Sequence, residues 1–409
     1  MGFSQAISGL NAASNNLDVI GNNIANSETS GFKSASVSFA DVFASSEVGL
    51  GVKVAAVTQN FNDGAVNTTD NGLNVAISNN GFFRVVDGSG TVHYTRDGDF
   101  TLDDNRNLMT TTGMNVTGYA ATGTPPTIQQ GTNPINLSIP TTGVAATPTQ
   151  IATMQLNLTS SATIVPATTT FDPNDSTTYS YSQPMTTYDS LGNPHNMSLY
   201  FTKTADNTWN VKSVDASTTP ATTSNLGTLN FNSNGTLNTD ALNGGGPDDF
   251  NITMAGINGA AADTFNISFA GSQQQYASAS SVTGQNQDGN YAGDLTKYEI
   301  NDDGTITGTY SNGDTLLLGQ IVLANFANPQ GLKSDGDNTW SATAASGQAI
   351  VGTAGNGTFG TLTSGALEGS NVNMSNELVN LIVAQRDYQS NAQTIKAQDT
   401  IMQTLVSMS

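Results

Sequence analysis

At 409 residues the chain exceeds one ordinary hydrophobic core and is expected to divide into roughly two to four domains. Its 32 acidic residues outweigh 11 basic ones, giving a net charge of −21 with no basic stripe, which argues against nucleic acid or an anionic membrane as partner. Cysteine is absent, which removes disulfides, thiolate catalysis and cysteine-based zinc sites together.

The N-terminus, MGFSQAISGLNAAS, has neither a charged leader nor a continuous apolar stretch, so a cleaved secretory signal is not expected. Nothing in the chain approaches the roughly 20 apolar residues of a membrane span. From Phe3 the spacing predicts an amphipathic helix, with Phe3, Ile7, Leu10, Ser14, Leu17, Gly21 and Ile24 along one stripe. Asn26, Ser27 and Gly31 supply its stop, and Phe32 and Lys33 follow at once.

From about residue 72 the texture becomes strand-like. GLNVAIS alternates Leu73, Val75 and Ile77, and FFRVV and TVHYT flank DGSG as a hairpin. A Thr-, Pro- and Ala-rich stretch near 121–150 reads as a connector, and 146–284 reads as a separate Thr/Asn/Ser-rich β domain inserted into the outer one. Strand texture returns in GTITGTYSNGDTLLLGQIVLANF.

The C-terminal segment predicts a second and longer helix. Met374, Leu378, Leu381, Gln385, Tyr388, Ala392, Ile395, Asp399, Met402 and Val406 recur at spacings of four and three, uninterrupted by Gly or Pro. Ser375 is the expected N-cap, and the helix should reach about 50 Å. An isolated helix with one apolar stripe is marginal in water. The two terminal stripes are therefore expected to pair as an antiparallel coiled coil or to bury themselves in neighbouring subunits. Gln385 and Asp399 in the seam could set register.

Catalytic and ligand motifs fail on inspection. GNGTFG, with Gly355, Gly357 and Gly360, has dinucleotide-binding spacing, but no helix pattern follows to receive a pyrophosphate. SDGDNT places Trp340 where a calcium loop needs Gly. His93 and His195 lack a second ligand at helical spacing. No catalytic residue, metal site or cofactor is expected.

Three stretches then carry a resemblance. LDVIGNNIANSETSGFK (17–33), GLNVAISNNGFFRV (72–85) and ELVNLIVAQRDYQSNAQTIKAQD (377–399) resemble the axial rod-and-hook protein family of the bacterial flagellum. The length, GTPPTIQQG and LGQIVLANFANPQGL point within that family to its hook branch. The resemblance implies a mixed, mainly β fold of nested discontinuous domains. Residues 1–71 and 362–409 would form a terminal α-helical coiled coil with its connecting segment, 72–145 and 285–361 an inner β domain, and 146–284 an outer one. It implies a self-assembling, non-enzymatic subunit of a helical homopolymer, the curved tube that transmits torque from motor to filament. The implied partners are copies of itself, a distal rod protein, a hook cap protein, a hook-filament junction protein and the flagellar export apparatus. Export would proceed without a cleaved signal peptide. Subunit contacts would fall on Phe3, Ile7, Leu10, Leu17, Ile24, Met374, Leu378, Leu381, Tyr388, Ala392, Ile395, Met402 and Val406. Asn26, Gly31, Phe32 and Lys33 would form the joint between axial helix and outer domains. A distal rod or junction protein, and a secreted β-rich adhesin, are the competing expectations.

Overall fold

The computed structural model describes residues 2–42, 51–123, 125–140, 142–240 and 248–408. Of the connector, Thr124 and Thr141 lie outside the described residues. Helix α1 spans Gly2–Ala25 and helix α2 spans Met374–Met408. The 35 residues of α2 correspond to about 52 Å at the α-helical rise. Its N-cap is Asn373 rather than Ser375: the Asn373 Oδ1 accepts the Asn376 N–H at 3.1 Å, and its carbonyl accepts the Glu377 N–H. Asn has the same short acceptor as Ser, and standing just before Met374 it meets the free N–H groups of the first turn.

The chain separates into two units, one comprising Met1–Thr141, Thr296–Thr309 and Thr315–Ser409, the other Thr142–Leu295 and Tyr310–Asp314. In the first, α1 and α2 lie side by side and antiparallel, with Gly9 opposite Asn391 and Asn23 opposite Glu377. A hairpin of Ala35–Val42 and Gly51–Gln59 packs on α1. Antiparallel strands Thr315–Asn325, Asn115–Thr122, Phe82–Val86, Val92–Thr95 and Thr339–Ser341 form the middle of a larger sheet. The DGSG hairpin closes with Val86 opposite Val92, and Asp87 Oδ1 accepts the Ser89 and Thr91 N–H groups inside the turn. Phe61, Phe82 and Trp340 meet edge-on with centroids 5.5–5.8 Å apart, the geometry the ring quadrupoles favour.

Two short ladders stitch the chain's two ends together. Val75–Ser78 pairs with Thr361–Ser364, and Val66–Thr68 pairs with Ala366–Glu368. The strands at 361–368 stand where a nucleotide-binding helix would have to begin, so GNGTFG is a turn between strands.

The second unit is a β-sandwich. An antiparallel meander of Tyr181–Tyr188, Pro194–Ala205, Thr208–Asp215 and Thr222–Asn230 faces a five-stranded sheet around Ile151–Thr159. The latter is mixed, because Ile151–Thr159 runs parallel to Asp263–Ser268 and Gln273–Gln275 but antiparallel to Ser281–Gln287. Met197, Leu199, Phe201, Trp209, Phe250 and Phe269 lie in the core between the sheets.

Candidate functional site

The stretch that ends α1 is built to turn the chain into the β structure. The Asn26 N–H and its Nδ2 both donate to the Asn22 carbonyl, and the Ser27 hydroxyl donates to the Ile24 carbonyl. Gly31 then takes φ +68°, and a Cβ there would stand 2.6 Å from the Asp97 backbone nitrogen. Only glycine satisfies both the left-handed backbone and the close approach. Its N–H donates to the Glu368 carbonyl at 2.7 Å.

That turn delivers Lys33 into the interior. Its Nζ lies 2.6 Å from Glu368 Oε1, both side chains having no exposed surface, and donates to the Asn62 carbonyl at 2.8 Å. Glu368 Oε2 meets Arg96 Nη1 at 3.2 Å, and the same guanidinium reaches Asp63 Oδ1 and the Asn79 carbonyl. The Gly64 N–H adds another bond to Glu368 Oε1 at 2.9 Å. One carboxylate therefore joins the segment after α1, the segment before α2 and the β sheet. Burial pushes the Lys33 ammonium below the usual lysine range, opposed by the adjacent Glu368.

Asparagines complete the joint. Asn23, almost wholly buried, clamps Ala35 through both its N–H and its carbonyl. Asn371 accepts from the Ser34 N–H and donates to the Asn60 and Asn62 carbonyls. Phe32 is half-buried and lines a cleft of about 510 Å³ with Asn26, Asp97, Asn338 and Trp340. In that cleft, burial pushes the Asp97 carboxyl up to about 6. All four expected joint residues thus surround this region. Sequence reasoning missed Glu368, Arg96 and Asp63, of which Glu368 meets its partners across 335 and 272 residues.

The helices carry the other half of the candidate site. They meet where Gly9 faces Asn391 and Asn23 faces Glu377, and Ala12, Ala13 and Ala384 line the cleft beside the first of these contacts, so that small side chains let the backbones approach. The expected apolar stripe lies mainly on other surface. Phe3, Ile7, Met374, Leu378, Tyr388, Met402 and Val406 are exposed, whereas Leu10, Leu17, Ile24, Leu381, Ala392 and Ile395 are half-buried. A second outward group was not anticipated: Val379, Ile382, Val383 and Ile401 are each more than half exposed. The run LIV at 381–383 was its sequence signal, since three successive apolar residues cannot share one helix face. α2 therefore carries apolar side chains on several sides while touching one partner helix.

Elsewhere both histidines sit between carboxylates. His195 Nδ1 is 2.6 Å from Asp215 Oδ2, wholly buried, and His93 Nδ1 is 3.3 Å from Asp335 Oδ2. Among the described residues, no group of three or more His, Cys, Asp or Glu side chains could hold a metal ion. Nor, among the described residues, is any helix long and apolar enough to cross a membrane.

A pair of terminal helices with uncovered apolar side chains, tied by a charge knot to β structure, suits a subunit of a larger assembly, and comparison with known proteins names the class. Residues 4–33 match the family described as flagella basal body rod protein, and 76–152 the flagellar hook protein FlgE/F/G D1 domain. Residues 157–290 match the flagellar basal body protein FlaE D2 domain, and 363–408 the flagellar basal body rod FlgEFG protein C-terminal region. The chain is 58% identical over 417 residues to the flagellar hook protein FlgE of Escherichia coli K12, covering all of both chains. It is 31% identical to that of Rhizobium meliloti, over 98% of this chain and 97% of the relative. The fold is shared with a crystal structure of Helicobacter pylori flagellar hook protein FlgE2, at a TM-score of 0.53 and 14% identity, over 74% of this chain and all of that one.

The chain belongs to the flagellar hook protein family. It is a self-assembling structural subunit of the flagellum, not an enzyme, and the adhesin expectation is set aside.

Proposed function

We propose that the outward faces of α1 and α2 are the axial contacts of the hook, buried against other copies in an inner helical layer. The exposed Leu378, Val379, Ile382 and Val383 carry this reading, because so apolar a surface is stable in water only when covered. In it, 1–71 and 362–409 form the axial layer, 72–145 and 285–361 an inner β domain, and 146–284 an outer one. The axial layer resists twist, while the polar Asn/Thr/Ser/Gly surfaces of the β domains slide as the curved tube turns. The Lys33–Glu368–Arg96 joint passes torque between the layers.

The same reading gives the subunit a rod protein below, a cap and a junction protein above, and delivery by the flagellar export apparatus without a cleaved signal. Relatives named as hook proteins and matched over their full length favour a hook subunit over a rod or junction protein.

Electron microscopy of the purified chain under polymerising conditions tests this. Curved hollow tubes are expected from the native chain and none from Leu381→Asp or Ile395→Asp. Normal tubes from either variant, or no tubes from the native chain, contradict the reading.

A further inference from the structure

The outward faces of the two helices differ in charge as well as in apolar content. On α1, Asp18 is exposed on the side turned away from α2, in a polar row with Asn11, Asn15 and Asn22. On α2, Arg386 is exposed on the side turned away from α1, one turn from Ile382 and Val383. Neither side chain has a hydrogen bond or ion pair among the described residues, a state that Arg386 shares with Lys53 and Lys396, whereas Lys33, Arg96, Lys203, Lys297 and Lys333 are paired.

The antiparallel register keeps the two apart within one chain. With Gly9 opposite Asn391 and Asn23 opposite Glu377, Asp18 lies level with Ile382 and Arg386 with Ser14. The levels differ by four residues, about 6 Å, but the side chains leave the helix pair on opposite sides. An Asp18–Arg386 pair therefore requires two molecules.

We propose that Asp18 of one copy pairs with Arg386 of a second copy, setting the lateral register of the helical layer. The inference rests on the proposed axial packing and adds the contact that aligns it. When Val379, Ile382 and Val383 are covered, Arg386 loses its water, and a desolvated cation needs a carboxylate. Because the two residues lie on different patches, the contact is heterologous, from the α1 of one copy to the α2 of the next. A heterologous contact propagates into an open helical array where a two-fold contact would stop at a dimer. Charge pairs of this kind contribute mainly to register and partner choice.

The test is charge exchange in the full-length chain, read as the critical concentration for tube assembly. Asp18→Arg and Arg386→Asp are each expected to raise it about tenfold or more, equivalent to about 1.4 kcal/mol, and the double variant to return it to within about twofold of the native value. Lys396→Glu serves as a control for bulk charge and should not be rescued by Asp18→Arg. Circular dichroism of each monomer should match the native chain, because both sites are exposed.

Single variants that assemble normally, or single defects that the double exchange leaves uncorrected, overturn the pairing. So does rescue of Lys396→Glu instead. The native chain in the same experiment reports on the axial-packing reading separately: if it forms tubes while the exchange pattern fails, only the register contact is lost.

Discussion

Glu368 is the residue on which the first unit closes, since it neutralises two interior cations that nothing else fully satisfies. Glu368→Gln keeps the shape but leaves Lys33 and Arg96 facing each other, and should cost about 3 kcal/mol. Thermal unfolding measures the loss, and hydrogen exchange should localise it to 31–34 and 62–64. Asp97 acts in the opposite sense. Its carboxyl is raised from 3.8 to about 6 by burial, so the unfolded chain ionises first as pH rises between those values. Stability then falls through that window and stays lower above it, by at most about 3 kcal/mol. Asp97→Asn should therefore stabilise the protein at pH 7.5 and change little at pH 3.5, as judged from melting curves at both. Gly31 was legible from sequence as part of a helix stop, whereas Lys33 was singled out only through the family resemblance and its burial against Glu368 was not anticipated. Glu368 itself was not legible, since in ALEGS it looks like any surface acid, and its partners stand 335 and 272 residues away.

Among the elements, the helices were predictable in extent and less so in use. Spacings of three and four located α1 and α2, but they selected the large side chains as the seam. The chain instead brings its own helices together where Gly9 faces Asn391, with Ala12, Ala13 and Ala384 beside that contact, residues whose smallness rather than apolar spacing marks a close approach. Many of the larger side chains are left uncovered in the single chain. Ile382→Asp puts this to the test, because Ile382 is exposed in the single chain. The monomer should keep its stability to within about 0.5 kcal/mol, while sedimentation under polymerising conditions should find no assembled material. The DGSG hairpin was legible because its turn chemistry is local. The parallel pairing of Ile151–Thr159 was not, since its partner strands lie more than a hundred residues downstream.

For the whole molecule, the net charge of −21 opposes assembly of many copies. Salt screens that repulsion, so raising ionic strength from about 0.01 M to about 0.15 M, which shortens the Debye length from about 30 Å to about 8 Å, should lower the critical concentration; light scattering against protein concentration measures it. The second unit, with its own sandwich core, should be indifferent to assembly, whereas the terminal helices, marginal without neighbours, should be the first segments cut by protease in the free chain. Hydrogen exchange on the full-length protein, compared before and after polymerisation, tests the central claim most directly. The account predicts that 2–25 and 374–408 exchange quickly in the free chain and become strongly protected in the tube, while 151–287 changes little. Equal protection of the terminal helices in both states, or protection gained only in the β unit, would contradict it.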